Sequence, residues 1–144
     1  GAQFLDRFGG TGSVGIEALS RGASFCLFVD VNKAAVQTIK KNLAATRLEN
    51  LAQILQLDSF SFLKQLPGRK FDYIFIAPPQ YKGMWIRALQ ELDVNPSWLS
   101  EDGWIIVQID PKEYEKVSLR NFTEIDQRSY GSTLLVFLQS PTTT

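Results

Sequence analysis

The chain has 144 residues, 44% hydrophobic and 21% charged, the size and composition of one ordinary globular domain with a single core. Fifteen Lys plus Arg balance fifteen Asp plus Glu, so the basic excess of a free-standing nucleic-acid binder is absent, and the charge balance by itself favours action on small molecules. With no histidine, an imidazole base or histidine metal ligand is excluded, and no apolar run approaches the roughly 20 residues that span a bilayer.

In chain order, "AQFLDRF" reads as a strand and "SVGIEALSRG" as a helix closed by Gly22. "SFCLFVD" is a second strand; its lone Cys26 can form no internal disulfide, which fits a reducing compartment, and "GAQFLDRFGG" does not resemble a secretory signal. Cytoplasm is the expected location. "VNKAAVQTIKKNLAATRL" places Val36, Ile39 and Leu43 on one face of an amphipathic helix, with Lys33, Lys40, Lys41 and Arg47 as a solvated face.

A strand "AQILQLD" follows, then a short helix "SFSFLKQL" ended by Pro67-Gly68, the strand "FDYIFIA", a helix around "MWIRALQEL" and the strand "GWIIVQID". "NFTEIDQRSYGSTLLVFLQ" reads as two extended runs joined at Tyr-Gly-Ser, an antiparallel hairpin ending the sheet. The alternation predicts an α/β fold: a mostly parallel central sheet, helices on both faces, a C-terminal hairpin. The expected organisation is one domain over residues 1–140, with 141–144 as a frayed tail.

The stretch "FLDRFGGTGSVGIEA" carries the chemistry. Gly10-Thr11-Gly12-Ser13-Val14-Gly15 is a G-x-G-x-x-G at a strand-to-helix junction, and Asp30 ends the next strand. Glycines there allow a tight turn and close approach of a ligand to the backbone, while a carboxylate at the second strand's end accepts bonds from ribose hydroxyls. A nicotinamide dehydrogenase would want a histidine or Tyr-x-x-x-Lys proton handler, and a P-loop would want Gly-Lys-Ser/Thr; the chain has neither. Asp6, before the loop, suits the positively charged end of S-adenosylmethionine, and Asp58, at the end of the third strand, suits an adenine amino group.

"LDRFGGTGSVGIEALSRGA" resembles the RsmD-type methyltransferases, which methylate the exocyclic N2 of a guanine in small-subunit ribosomal RNA; "FVDVNKAAVQTIKKNL" and "RSYGSTLLVF" are similar to later family segments. The resemblance implies a Rossmann-like methyltransferase fold, with S-adenosylmethionine held by Asp6, Gly10, Thr11, Gly12, Gly15, Asp30 and Asp58. It also implies ribosomal RNA or the small ribosomal subunit as partner, with no metal and no membrane, and a monomeric enzyme. The family carries a basic segment ahead of the first strand, whereas Leu5 already lies in that strand, so the chain is expected to lack the family's N-terminal segment and its RNA contacts.

At the end of the fourth strand the family carries Asp/Asn-Pro-Pro-Tyr/Phe, where the first side chain and nearby carbonyls receive the target amine and the aromatic stacks on the base. Here the segment is Ala77-Pro78-Pro79-Gln80-Tyr81: the acidic or amide side chain is replaced by a methyl and the tyrosine stands one place late. The resemblance makes these five the expected catalytic residues, with backbone carbonyls and the Gln80 amide as amine acceptors. Arg7 stands where the family prefers an apolar residue, placing a cation near a cationic cofactor. Tyr81 and Trp85, four apart, form either a stacking wall for a flipped base or ordinary helix-to-sheet packing. Trp98 and Trp104 read as core or partly buried aromatics. Two other readings stay open: a catalytically weakened relative that binds cofactor or RNA, and a methyltransferase acting on a small molecule or protein.

Overall fold

The computed structural model describes residues 1–8, 10–58, 69–78 and 83–141. The helix expected over 59–66 with its Pro67-Gly68 stop, together with Pro79, Gln80, Tyr81 and residues 142–144, lies outside the described residues.

Among the described residues the strands are β1 (Gln3–Arg7), β2 (Phe25–Asp30), β3 (Ala52–Gln56), β4 (Phe71–Ile76), β5 (Leu99–Ile109), β6 (Thr123–Tyr130) and β7 (Thr133–Gln139). The helices are α1 (Ser13–Ser20), α2 (Lys33–Thr46) and α3 (Met84–Val94). The strands form one sheet in the order β3-β2-β1-β4-β5-β7-β6. β1 to β5 run parallel, β7 lies antiparallel to β5, and β6 pairs antiparallel with β7. This is the mostly parallel sheet with a closing hairpin that the alternation predicted, and the Rossmann-like fold that the resemblance implied.

Period-two alternation decides which side chains meet. Leu5 sits beside Leu27 on one flank and Ile74 on the other, and Ile74 beside Ile105, so one face of the sheet is a continuous aliphatic layer. Trp85, Ala88, Leu89 and Leu92 of α3, spaced i, i+3, i+4 and i+7, pack onto that layer and are buried. On the opposite face, Phe4, Cys26, Phe28 and Phe75 meet Ile16 and Leu19 of α1 and Ile39 and Leu43 of α2. Trp98 is buried and Trp104 half-buried, as expected of core aromatics. The four basic side chains Lys33, Lys40, Lys41 and Arg47 are exposed.

Local signals set the ends. Asn32 caps α2 by accepting the Ala35 N–H at 3.1 Å, and α1 stops before Gly22, whose φ of 109° carries the chain back into β2. β5 begins earlier than its sequence pattern suggests, at Leu99. Leu99 pairs with Phe71 across a register shift, and a Cβ on Gly103 would come within 2.7 Å of the Leu99 side chain. No helix among the described residues is long and apolar enough to cross a membrane.

Candidate cofactor cleft and acceptor site

In an open parallel sheet, ligands gather beyond the carboxyl ends of the strands where the strand order reverses. Here that reversal lies between β1 and β4, because the chain winds outward through β2 and β3 and then returns to the other side of β1. An open cleft of about 630 Å³ occupies this position. Gly10, Asp30, Asp58, Ala77 and Pro78 line it, so residues drawn from four separate stretches of sequence converge on one space.

The glycine loop divides its labour. Gly10 lines the cleft with φ 59°, and its N–H donates to Asp30 Oδ2 at 3.1 Å. The other oxygen of Asp30 accepts the Asn32 N–H at 2.9 Å. A carboxylate offers about four lone-pair sites, so both oxygens keep capacity for ligand hydroxyls while the loop and the start of α2 hold the group in place. Gly12 adopts φ 78° at the start of α1 and packs on Ile39. Gly15 lies under the loop: a Cβ there would fall 2.4 Å from the Phe28 ring and 2.7 Å from Cys26 Sγ, so glycine lets α1 press onto β2. Thr11 is exposed, and its carbonyl accepts the Asn42 amide at 2.9 Å. Thr11, Gly12 and Gly15 are thus loop-building positions, and none lines the cleft.

Asp6 is 2% exposed on the α1 face of β1 and also does not line the cleft. Its Oδ2 accepts the Gly15 N–H at 3.3 Å. Burial is the main influence on its carboxyl, pushing it up to about 8, with the Asp30 charge adding to the rise and the Gly15 bond opposing it. The next residue points the other way. Arg7 is fully buried on the α3 face, where burial pulls its guanidinium down to about 9 against the opposing charges of Glu91 and Asp58. Its guanidinium lies over the Phe8 ring at 5.4 Å and feels the carboxylates of Glu91 on α3 and Asp58 at the cleft, so this cation is buried behind the cleft wall with acidic groups as its electrostatic partners.

Asp58 is exposed at the cleft, two residues beyond the end of β3 at Gln56. Several lining residues escaped the sequence reading. Val31, 66% exposed, follows Asp30 and offers an apolar surface for a flat ring; Phe8, Asn32, Ala34, Ala35, Thr38 and Met84 complete the wall. Phe8 holds φ 62°, uncommon for a non-glycine residue, at the turn from β1 into the loop. An apolar residue after the strand-end acid was the available signal for Val31.

Ala77 and Pro78 follow β4 directly and border both the main cleft and a smaller hollow of about 170 Å³ at the end of β5 and the start of β7. Pro79, Gln80 and Tyr81, expected to complete this wall, lie outside the described residues. Trp85 belongs to the α3 core: it is 2% exposed and stacks on Tyr114 with ring centroids 6.1 Å apart. The packing reading holds for it, and it forms no stacking wall for a base.

The strand order, the glycine loop at the point of reversal and the acid closing β2 define a Rossmann-like domain of the methyltransferase type. The chain belongs to the family described as Conserved hypothetical protein 95, which matches residues 1–139. YlbH of Bacillus subtilis is 36% identical over 135 residues, covering 92% of this chain and 73% of its own length. "Ribosomal RNA small subunit methyltransferase D" of Haemophilus influenzae is 31% identical over 132 residues, covering 90% of this chain and 67% of its own. The solved structure of yhhF from Escherichia coli superposes with a TM-score of 0.84 at 28% identity, covering 96% of this chain and 75% of that one. Across the curated relatives at the head of the comparison the chain spans 52% to 73% of their length.

Proposed function

We propose that the chain transfers a methyl group from S-adenosylmethionine to the exocyclic N2 of a guanine in small-subunit ribosomal RNA, in the compartment where ribosomes are built, the cytoplasm. The observation that carries this reading is the convergence of Gly10, Asp30, Asp58, Ala77 and Pro78 on one cleft at the strand-order reversal. The donor set fits a nucleoside-containing cofactor. Asp30 and Asp58 only accept hydrogen bonds when ionised, and ribose hydroxyls and an adenine amine only need acceptors from them. Val31 supplies the apolar surface beside them.

When bound, the cofactor supplies an electrophilic methyl group on a sulfonium centre. The chain's own part is positioning and electrostatics. Asp30, fixed by Gly10 and Asn32, would hold the ribose, and Asp58 the adenine edge. The carbonyl of Ala77 would accept an N–H of the target amine and turn its lone pair toward the cleft. As that nitrogen attacks it gains positive charge, which an acceptor oxygen stabilises more in the transition state than in the ground state; S-adenosylhomocysteine is the leaving group, and the surplus proton on the methylated nitrogen passes to solvent.

The test is methyl transfer from labelled S-adenosylmethionine to small ribosomal subunits or naked small-subunit RNA, with the product mapped to base and atom. Label at guanine N2 supports the proposal; cofactor binding with no transfer to RNA overturns it. A second reading, a weakened relative that binds without transferring, draws on the methyl side chain at Ala77 where the family pattern has an acceptor. Single-turnover transfer separates the two.

A further inference from the structure

The hollow beside Ala77 and Pro78 has a chemistry unlike that of the cleft. Besides those two residues and Ile109, its lining is polar: Gln108 and Asp110 from the end of β5, Glu113 from the short 3-10 helix that follows, and Ser132 and Thr133 from the turn into β7. Register explains the meeting. Ile76 pairs with Val107 and Ile109 with Leu134, so β4 and β5 end beside the point where β7 begins. Asp110 Oδ1 accepts the Lys112 N–H at 2.9 Å, which fixes the carboxylate at the rim. Among the described residues, its Oδ2 and the side chains of Gln108, Glu113 and Ser132 make no hydrogen bond.

We infer that this hollow receives the acceptor base and that Asp110 selects guanine by accepting its N1–H, while the neighbouring amine lies at Ala77. The inference rests on the function proposed above and adds the residue that reads the base. Its warrant is chemical complementarity. Of the four RNA bases only guanine places a ring N–H directly beside an exocyclic amine on one edge; adenine and cytosine pair their amine with a ring acceptor, and uracil carries no amine. A fixed carboxylate lining the same hollow as Ala77 offers, with the Ala77 carbonyl, one acceptor for each of the two donors. A base with an acceptor at N1 would face the carboxylate's lone pairs, and sites built to satisfy a donor reject analogues lacking it. Single-stranded or splayed bases are read on this edge.

The test compares an RNA fragment carrying guanine at the mapped methylation position with one carrying 2-aminopurine, which keeps the 2-amine but has an acceptor at N1. Wild type should strongly prefer guanine. Asp110→Ala should lower kcat/KM on guanine by roughly ten- to a hundredfold, the effect of losing a hydrogen bond to a charged group. Asp110→Asn retains an oxygen for the Lys112 N–H and gains an N–H that faces the N1 acceptor, so its preference for guanine over 2-aminopurine should fall at least tenfold. Cofactor affinity and melting temperature of Asp110→Asn should match wild type. If wild type methylates guanine N2 and Asp110→Asn keeps the wild-type preference, the assignment of Asp110 is wrong and the proposed function stands. If wild type methylates no guanine, both are overturned.

Discussion

Asp30 Oδ2 accepts the Gly10 N–H at 3.1 Å, so the carboxylate that closes β2 also holds the loop that leaves β1. One side chain thereby shapes two walls of the cleft. S-adenosylhomocysteine should raise the melting temperature of the wild-type chain, since a ligand that binds only the folded state stabilises it. Asp30→Ala should weaken that binding by roughly 1.5–3 kcal/mol in calorimetry, the scale of a hydrogen bond to a charged group. An unchanged Kd would remove Asp30 from the cofactor site.

The buried Asp6 carboxyl sets a pH dependence of stability. Its folded value is pushed up to about 8 from 3.8, so the native state holds the proton more tightly than the unfolded chain does. The associated stability is fully present below about pH 4, declines as pH rises and is lost once pH passes about 8. Asp6→Asn stays neutral throughout. Urea midpoints measured from pH 4 to 9 should therefore show the mutant gaining on wild type with rising pH, then holding a constant difference above about 8. Parallel profiles would refute the burial effect.

Gly15→Ala should destabilise the fold without touching the cleft. The added methyl would sit 2.4 Å from the Phe28 ring and 2.7 Å from Cys26 Sγ, and neither neighbour is a flexible side-chain end. Overpacking of this kind costs about 1–3 kcal/mol, read as a lower urea midpoint with an unchanged m-value. Ligand affinity of the folded fraction should stay close to wild type.

Ala77→Asp should speed methyl transfer. The new carboxylate would supply the second acceptor that the present segment lacks, and it would bind the amine most strongly as positive charge develops. Under single-turnover conditions the expected gain is about tenfold, or about 1.4 kcal/mol, with cofactor affinity unchanged. The companion change is Gln80→Ala. A wild type that is clearly active, unaffected by Gln80→Ala and not improved by Ala77→Asp would detach this segment from the target amine.

RNA binding by this chain should depend only weakly on salt. Fifteen cationic and fifteen acidic side chains leave no formal net charge, and each phosphate contact adds roughly 0.7–0.9 to the slope of log K against log salt. A slope corresponding to many contacts would reveal a basic surface that the overall balance conceals.

Among the described residues, the sequence by itself determined the order of strands and helices, the glycine loop and the strand-end acid, because these rest on local signals: side-chain period, caps, and glycines where φ turns positive. "GTGSVG" before α1 and Asp30 after β2 are legible at a distance of a few residues. Only the tertiary structure decided which way neighbours in sequence face and which strangers meet. Asp6 and Arg7 are adjacent, yet the pleat sends one beneath the glycine loop and the other toward Glu91 on α3. The helical spacing of Trp85 from Tyr81 left a stacking wall and ordinary helix-to-sheet packing both open, and the phase of α3 against the sheet decides for packing by burying Trp85. Asp110, Ser132 and Ala77 are far apart in the chain and share one hollow because β4 and β5 end beside the point where β7 begins, a matter of register across the sheet that no local pattern encodes.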